Sequence, residues 1–269
     1  MPAIRVLEEF TEGKHKKSCY SEDRLICSEH AIGVIDGARG PDYKGTDVVT
    51  AFLDETVELA KQVHLETNLT DFVTKLTRIV RAKKDRAGIK KLKTTGGLVF
   101  CIYLIERREM WRVGDCIYAV DGRVTENPCL AETVCAQARA SIIKSWRAFG
   151  RTADDIMRDA AYDNIIDPLL DAVCLLMNEA NHQLGFGAVN GEPVPEKFIE
   201  CVPIERGDVI EICSDGYPSP MGSLEASENE LRRLLEIDPM CIAENIGAKG
   251  LGPDRRSYDD RSYVRFSLT

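Results

Sequence analysis

Gly33-Val-Ile-Asp-Gly-Ala-Arg-Gly40 is the stretch on which the reading of this chain turns. The apolar run Ala31 to Ile35 delivers a carboxylate, Asp36, directly into a Gly-rich turn. A short apolar run bounded by turn residues reads as a buried strand, so Asp36 stands where a strand leaves the core. A lone charge there is costly, and a carboxylate at a core edge calls for a cation. Gly37, with no side chain, lets main-chain carbonyls approach the same ion. The competing reading is a strand-to-turn Asp that caps its own loop.

The chain has 269 residues and is 44% hydrophobic, enough for one sizeable core. Its net charge of -9 and isoelectric point of about 5.1 argue against general nucleic-acid binding. They favour an acidic protein with carboxylates concentrated in a site. The ten cysteines are scattered with no Cys-x-x-Cys pair, and Cys101, Cys174 and Cys213 lie in apolar runs, where a reduced Cys behaves as a small hydrophobe. Met1 to Lys17 lacks the apolar centre of a signal peptide, and no run approaches the roughly 20 apolar residues that cross a bilayer. The expectation is a cytoplasmic, monomeric protein with no membrane or nucleic-acid partner.

Outward from Asp36, an edge strand within Ile4 to Tyr20 and a strand at Arg24 to Cys27 are expected upstream. Downstream, Asp47 to Glu66 and Leu69 to Ala87 carry apolar residues at helical spacing. The second runs into a basic stretch, Arg78, Arg81, Lys83, Lys84, Arg86, Lys90, Lys91 and Lys93, read as a solvated helix end. Strands at Leu98 to Ile105, Glu109 to Val113 and Cys116 to Val120 read as an antiparallel meander with turns at Glu106 to Arg108 and Asp121-Gly122. Helices are expected at Ala131 to Arg147 and at Ala153 to Asn181, with interruptions near Gly150 and Pro168. Strands Phe198 to Pro203 and Val209 to Cys213, helices Glu225 to Glu236 and Met240 to Ala248, and a strand Ser262 to Leu268 complete one domain, 1-269.

Asp36, Asp115, Asp215 and the Asp259-Asp260 pair share one grammar, a carboxylate at a strand end, and Glu22-Asp23 precedes a strand in the same way. If these corners converge, so many like charges cannot all stay ionised without cations. Hard divalent ions with oxygen ligands fit, magnesium or manganese. No histidine and no cysteine pair shows zinc-site spacing. Singly, each corner is also ordinary turn chemistry.

The series Glu22-Asp23, Gly33-Val-Ile-Asp36-Gly37-x-x-Gly40, Thr94-Thr95-Gly96-Gly97, Val113-Gly114-Asp115, Ser214-Asp215-Gly216 and Asp259-Asp260 resembles the ordered motifs of the metal-dependent type 2C (PPM-type) protein serine/threonine phosphatases, in their bacterial form. The resemblance implies an α+β, four-layer α/β/β/α sandwich, two antiparallel β-sheets flanked by helices. It implies a centre of two Mn2+ or Mg2+ ions with a weaker third, and hydrolysis of phosphoserine or phosphothreonine in signalling phosphoproteins by direct attack of a metal-activated water. Asp36, Asp215 and Asp259 are then the catalytic ligands, and Gly37, Glu22, Asp23, Asp115 and Asp260 complete the metal set. Asp36 would bridge the ions, and Asp115 would favour the third.

Two positions depart from the pattern. A His two residues beyond the bridging Asp is replaced by Ala38, and the phosphate-binding Arg position falls on Ser18. Lys16, Lys17 and Arg39 are the candidate replacements, Lys as a point charge without a bidentate fork. The segment 125-195 stands where relatives carry a variable flap, and buried packing is expected of its Trp146, Phe149 and Phe186. Hydrolysis of a small phosphate ester, and a catalytically weak binding or signalling module, are the alternative functions.

Overall fold

The structure, a computed structural model, describes residues 4–268 apart from 43, 44, 46, 160, 163, 164, 166, 205, 206 and 208. Among these, ten strands run in chain order: β1 (Ile4–Glu12), β2 (Asp23–Cys27), β3 (Ala31–Ala38), β4 (Gly97–Leu104), β5 (Glu109–Val113), β6 (Ile117–Val120), β7 (Arg123–Thr125), β8 (Ile199–Pro203), β9 (Val209–Cys213) and β10 (Arg261–Leu268). They form two antiparallel sheets, one ordered β1-β10-β9-β6-β7 and the other β2-β3-β4-β5-β8. Four helices, α1 (Asp47–Ala60), α2 (Leu69–Arg86), α3 (Leu130–Ala148) and α4 (Ala153–Arg158), and two more at Asp167–Cys174 and Leu224–Ile237, lie outside them. This is the four-layer sandwich expected.

The pleat of β3 and β4 divides the molecule into its layers. Ile32 and Val34 on β3, with Cys101 and Tyr103 on β4, enter a core shared with Tyr118, Ile210, Ile212, Val264 and Phe266 of the opposite sheet. Their alternates, Ile35, Phe100 and Ile102, pack instead against Phe52 of α1 and Phe72 of α2. Both faces of this sheet are therefore buried, which explains why β3 and β4 read as near-continuous apolar runs rather than alternating ones. No helix among the described residues is long and apolar enough to cross a membrane, and none of the ten cysteines forms a disulfide.

Several sequence expectations need correction. The three strands from Leu98 to Val120 are not one meander: β5 pairs with β4 and β8, whereas β6 joins β7 and β9 in the opposite sheet. Gly114, at φ +92°, turns the chain out of one sheet toward the other, and a Cβ there would lie 2.2 Å from the Val99 side chain. The Asp121-Gly122 turn instead joins β6 to β7, a strand not anticipated. Met240 to Ala248 is not helical, because the Asp238 carboxylate accepts the amides of Ile242, Ala243 and Glu244 and so competes with helical hydrogen bonding. The expected 153-181 helix is divided: the described residues include α4 and a separate helix at Asp167–Cys174, and residues 160, 163, 164 and 166 lie outside the described residues. Phe149 is 91% exposed beyond the end of α3, not buried.

The basic stretch also divides. Lys83, Lys91 and Lys93 make surface ion pairs with Glu55, Asp42 and Glu179. Lys84, however, is fully buried, and its ammonium donates to the Leu92 and Gly96 carbonyls. Gly96 has φ +83°, and a Cβ at Gly40 would lie 2.3 Å from the Thr94 carbonyl oxygen. The Thr-Thr-Gly-Gly motif is thus a tight backbone crossing beneath Gly40, locked from behind by a lysine.

β3 and β4 approach closely at Gly33, where a Cβ would lie 2.2 Å from the Cys101 carbonyl oxygen. Gly33→Ala is expected to lower stability by about 3 kcal/mol, the cost of overpacking against backbone that cannot retreat. Urea unfolding of the variant beside wild type measures it.

Candidate metal centre

The same pleat that sorts the core delivers the acidic residues to one end of the sandwich. Ile32 and Val34 face the inter-sheet core, so Asp36, two residues further along β3, faces it as well. Asp23 is its cross-strand partner at the start of β2. On β9, Ile210 and Ile212 face that core, and the same parity carries Ser214 inward. The Ser214 hydroxyl donates to Asp23 Oδ2 at 2.7 Å and accepts the Ser262 amide at 2.9 Å, which ties the two sheets together at the acidic end. Asp23 is 2% exposed, and its Oδ1 has no hydrogen-bond partner.

Asp215 lies two residues beyond the end of β9, beside the carboxyl of Asp36. Asp115 arrives from the β5–β6 crossover. Glu132, in the first turn of α3, closes the group and was not anticipated; an acidic residue there reads as an ordinary complement to the helix dipole. Burial, then Asp215 and Asp23, hold Asp36 well above the usual carboxylate range. Burial likewise raises Asp23 strongly, against the opposing hydrogen bond from Ser214. Burial and the Asp215 charge push Asp115 up to about 8 and Glu132 to about 7. Asp115, Glu132, Asp215, Lys249, Tyr258 and Asp259 border a cavity of about 250 Å³.

The other half of the group is neutralised from within. Lys14 Nζ lies 2.7 Å from Asp259 Oδ1, 3.2 Å from Asp260 Oδ2 and 3.8 Å from Glu22 Oε2. Lys249 pairs with the second oxygen of Asp259. Burial raises Asp259, but the two ammonium groups outweigh it and hold that carboxyl well below its usual range. Neither lysine was anticipated, since Lys14 is one of a basic run with Lys16 and Lys17 and Lys249 a single basic residue in a loop. Asp260 serves as a loop tie: its Oδ1 accepts the Lys14 amide and its Oδ2 accepts the Glu22 amide.

The structure thus brings Glu22, Asp23, Asp36, Asp115, Asp215, Asp259 and Asp260 into one group. Gly37 lies against it, its amide bonded to the Glu22 carbonyl. Arg39 is beside the group and pairs with Glu22 at 2.5 Å. Lys16 and Lys17 are not part of it. They line a separate depression with Ser18, Cys19 and Arg256, and Lys17 is exposed beside Asp254.

Divalent ions fit this donor set in charge and chemistry. Among the described residues, eight carboxylates, Glu132 included, meet the three cations Lys14, Arg39 and Lys249, and the buried Asp23 Oδ1 lacks a partner. As the side chains stand, no three His, Cys, Asp or Glu groups among the described residues close around one ion.

Without divalent ions, Asp115 and Glu132 keep protons in the folded protein at pH values where the unfolded chain has released them. Their contribution to stability is complete below an unfolded pKa near 4 and is lost as pH rises through about 7 to 8. In EDTA, the urea midpoint is expected to fall between about pH 5.5 and pH 8. Glu132→Gln flattens the fall, and a pH series of unfolding curves for both proteins measures it.

No protein-family model matches the sequence, and no curated relative is found. Solved structures do match in shape. The Mycobacterium tuberculosis serine/threonine phosphatase PstP/Ppp aligns at TM-score 0.51 and 13% identity, over 98% of this chain and 98% of its own. The catalytic domain of PstP in complex with two manganese ions aligns at 0.51 and 14%, over 99% and 98%. Serine/threonine phosphatase Stp1 from Staphylococcus aureus aligns at 0.51 and 12%, over 100% and 96%. At such identities the likeness is one of architecture, and the chain has the α/β/β/α fold of the PPM-type serine/threonine phosphatases along its whole length.

Proposed function

We propose that the protein is a divalent-cation-dependent phosphomonoester hydrolase acting on phosphoserine or phosphothreonine in proteins. The observation that carries this reading is the concentration of Asp23, Asp36, Asp115 and Asp215 at one end of a sandwich shared with structures described as serine/threonine phosphatases. Five carboxylates in excess of the local cations among the described residues have no structural use to a fold that is otherwise well packed. One of those neighbours holds manganese, which supports the same ion class here.

Asp36 and Asp215, with the Gly37 carbonyl and Asp23 beside them, are the groups that would hold such an ion. When bound, it supplies Lewis acidity for the phosphoryl group and lowers the pKa of the attacking water. Phosphomonoester hydrolysis requires a barrier reduction on the order of 20 kcal/mol or more, so charge neutralisation is the main demand on the site. The chain's own part is orientation. Ser214 fixes Asp23 across the two sheets, and Lys249 places a positive charge on the cavity wall. A cavity of about 250 Å³ suits a phosphate at the tip of a side chain better than an enclosed metabolite.

A catalytically weak binding module is the second reading, favoured by Ser18 and by the commitment of Arg39 to Glu22, which leave the site without a known arginine fork for phosphate. Turnover separates the two. Hydrolysis of an aryl phosphate and of a phosphothreonine peptide is expected to depend on Mn2+, with the peptide preferred. Asp36→Asn and Asp215→Asn are each expected to lower it about 100-fold or more, the scale on which a transition-state charge contact is lost. Manganese binding without turnover on either substrate would leave the binding module as the function.

A further inference from the structure

We infer that Lys14 and Lys249 stand in for one of the two divalent ions, so that this centre takes a single ion, on the side formed by Asp23, Asp36 and Asp215. The inference rests on the divalent-dependent reading above and concerns its stoichiometry.

Asp259 is the residue that decides it. The resemblance assigns it, with Asp36 and Asp215, to one ion, yet both of its oxygens are engaged by ammonium groups, Lys14 Nζ at 2.7 Å and Lys249 Nζ. Lys14 reaches Asp260 and Glu22 from the same position, so a single buried ammonium spans three carboxylates, a task otherwise suited to a divalent cation. An ion placed against Asp259 would meet two fixed positive charges at contact range, and the repulsion is weakly screened in a partly buried site.

The opposite side is built differently. The carboxyls of Asp36 and Asp215 lie side by side, and Asp23 keeps one buried oxygen without a partner. Both lysines act on Asp215 from a distance, Lys249 more strongly, but among the described residues neither makes an ion pair with Asp23, Asp36 or Asp215. The carboxylates that no ammonium contacts among the described residues, Asp23, Asp36 and Asp215, are therefore where the anionic excess calls for a cation.

The test is the number of manganese ions per chain, together with their magnetic state. Equilibrium dialysis of the full-length protein against Mn2+ is expected to give one ion per chain in wild type, with the electron paramagnetic resonance spectrum of an isolated ion. Lys14→Met combined with Lys249→Met is expected to raise the count to two and to give the spectrum of an exchange-coupled pair. Lys249→Gln alone, at a side chain 38% exposed, serves if the double variant fails to fold, and is expected to raise the count above one. Any wild-type count other than one overturns the inference. With one ion in wild type, a count that stays at one in a folded lysine variant also overturns it. A count of zero in wild type and variants alike overturns the divalent reading too, whereas two ions in wild type leave that reading intact.

Discussion

Like charge gathered in one place is the constraint on which this structure depends. Eight carboxylates from β2, β3, the β5–β6 crossover, α3, β9 and the β10 entry meet at one end of the sandwich. No local pairing could hold them, since their positions in the chain run from Glu22 to Asp260. They stay together because two sheets, each buried on its inner face, are bound through a shared apolar core that leaves the strand ends no freedom to separate. Asp23 is anchored across that core by Ser214, whose oxygen also receives the Ser262 amide. The apolar layers thus sustain an arrangement that electrostatics alone would disperse.

The chain answers that repulsion in two ways. Around Asp259, Asp260 and Glu22 it supplies its own cations, Lys14, Lys249 and Arg39, with hydrogen-bonding geometry. Around Asp23, Asp36, Asp115 and Glu132 the answer is a raised affinity for protons, since burial with mutual repulsion raises every one of these carboxyls. A single acidic end is in this way divided into a self-compensated side and a side whose charge is left to be met from solution. The division lies at the level of side chains, on a backbone that matches phosphatases at only 12 to 14% identity.

Glycine and a buried lysine shape the surroundings of the site. Gly114 turns the chain between sheets beside Asp115, and Gly96 passes beneath Gly40 with its carbonyl held by Lys84. Removing that lysine's charge from solvent is costly, which is why its ammonium meets two carbonyls rather than water. Motifs that look alike in the sequence thus do different work. Asp36-Gly37 presents a carboxylate, whereas Thr94-Thr95-Gly96-Gly97 is a backbone crossing.

The sequence by itself determined the strands and helices with strong periodicity and the acidic corners, because apolar patterning and strand-end carboxylates are local signals, while the layered sandwich followed from the family resemblance of the ordered motifs. Asp23, Asp36, Asp115, Asp215, Asp259 and Asp260 were legible in this way. Tertiary structure alone decided what those corners meet. That β5 and β6 belong to different sheets, that Asp238 unmakes the helix expected after it, and that Glu132 joins the acidic group depend on contacts between segments distant in the chain. The same holds for Lys14 and Lys249, 235 positions apart and meeting on the two oxygens of one carboxylate. A lysine in a polar loop looks the same whether it faces water or a buried acid, and its partner is chosen only when the sheets close over both.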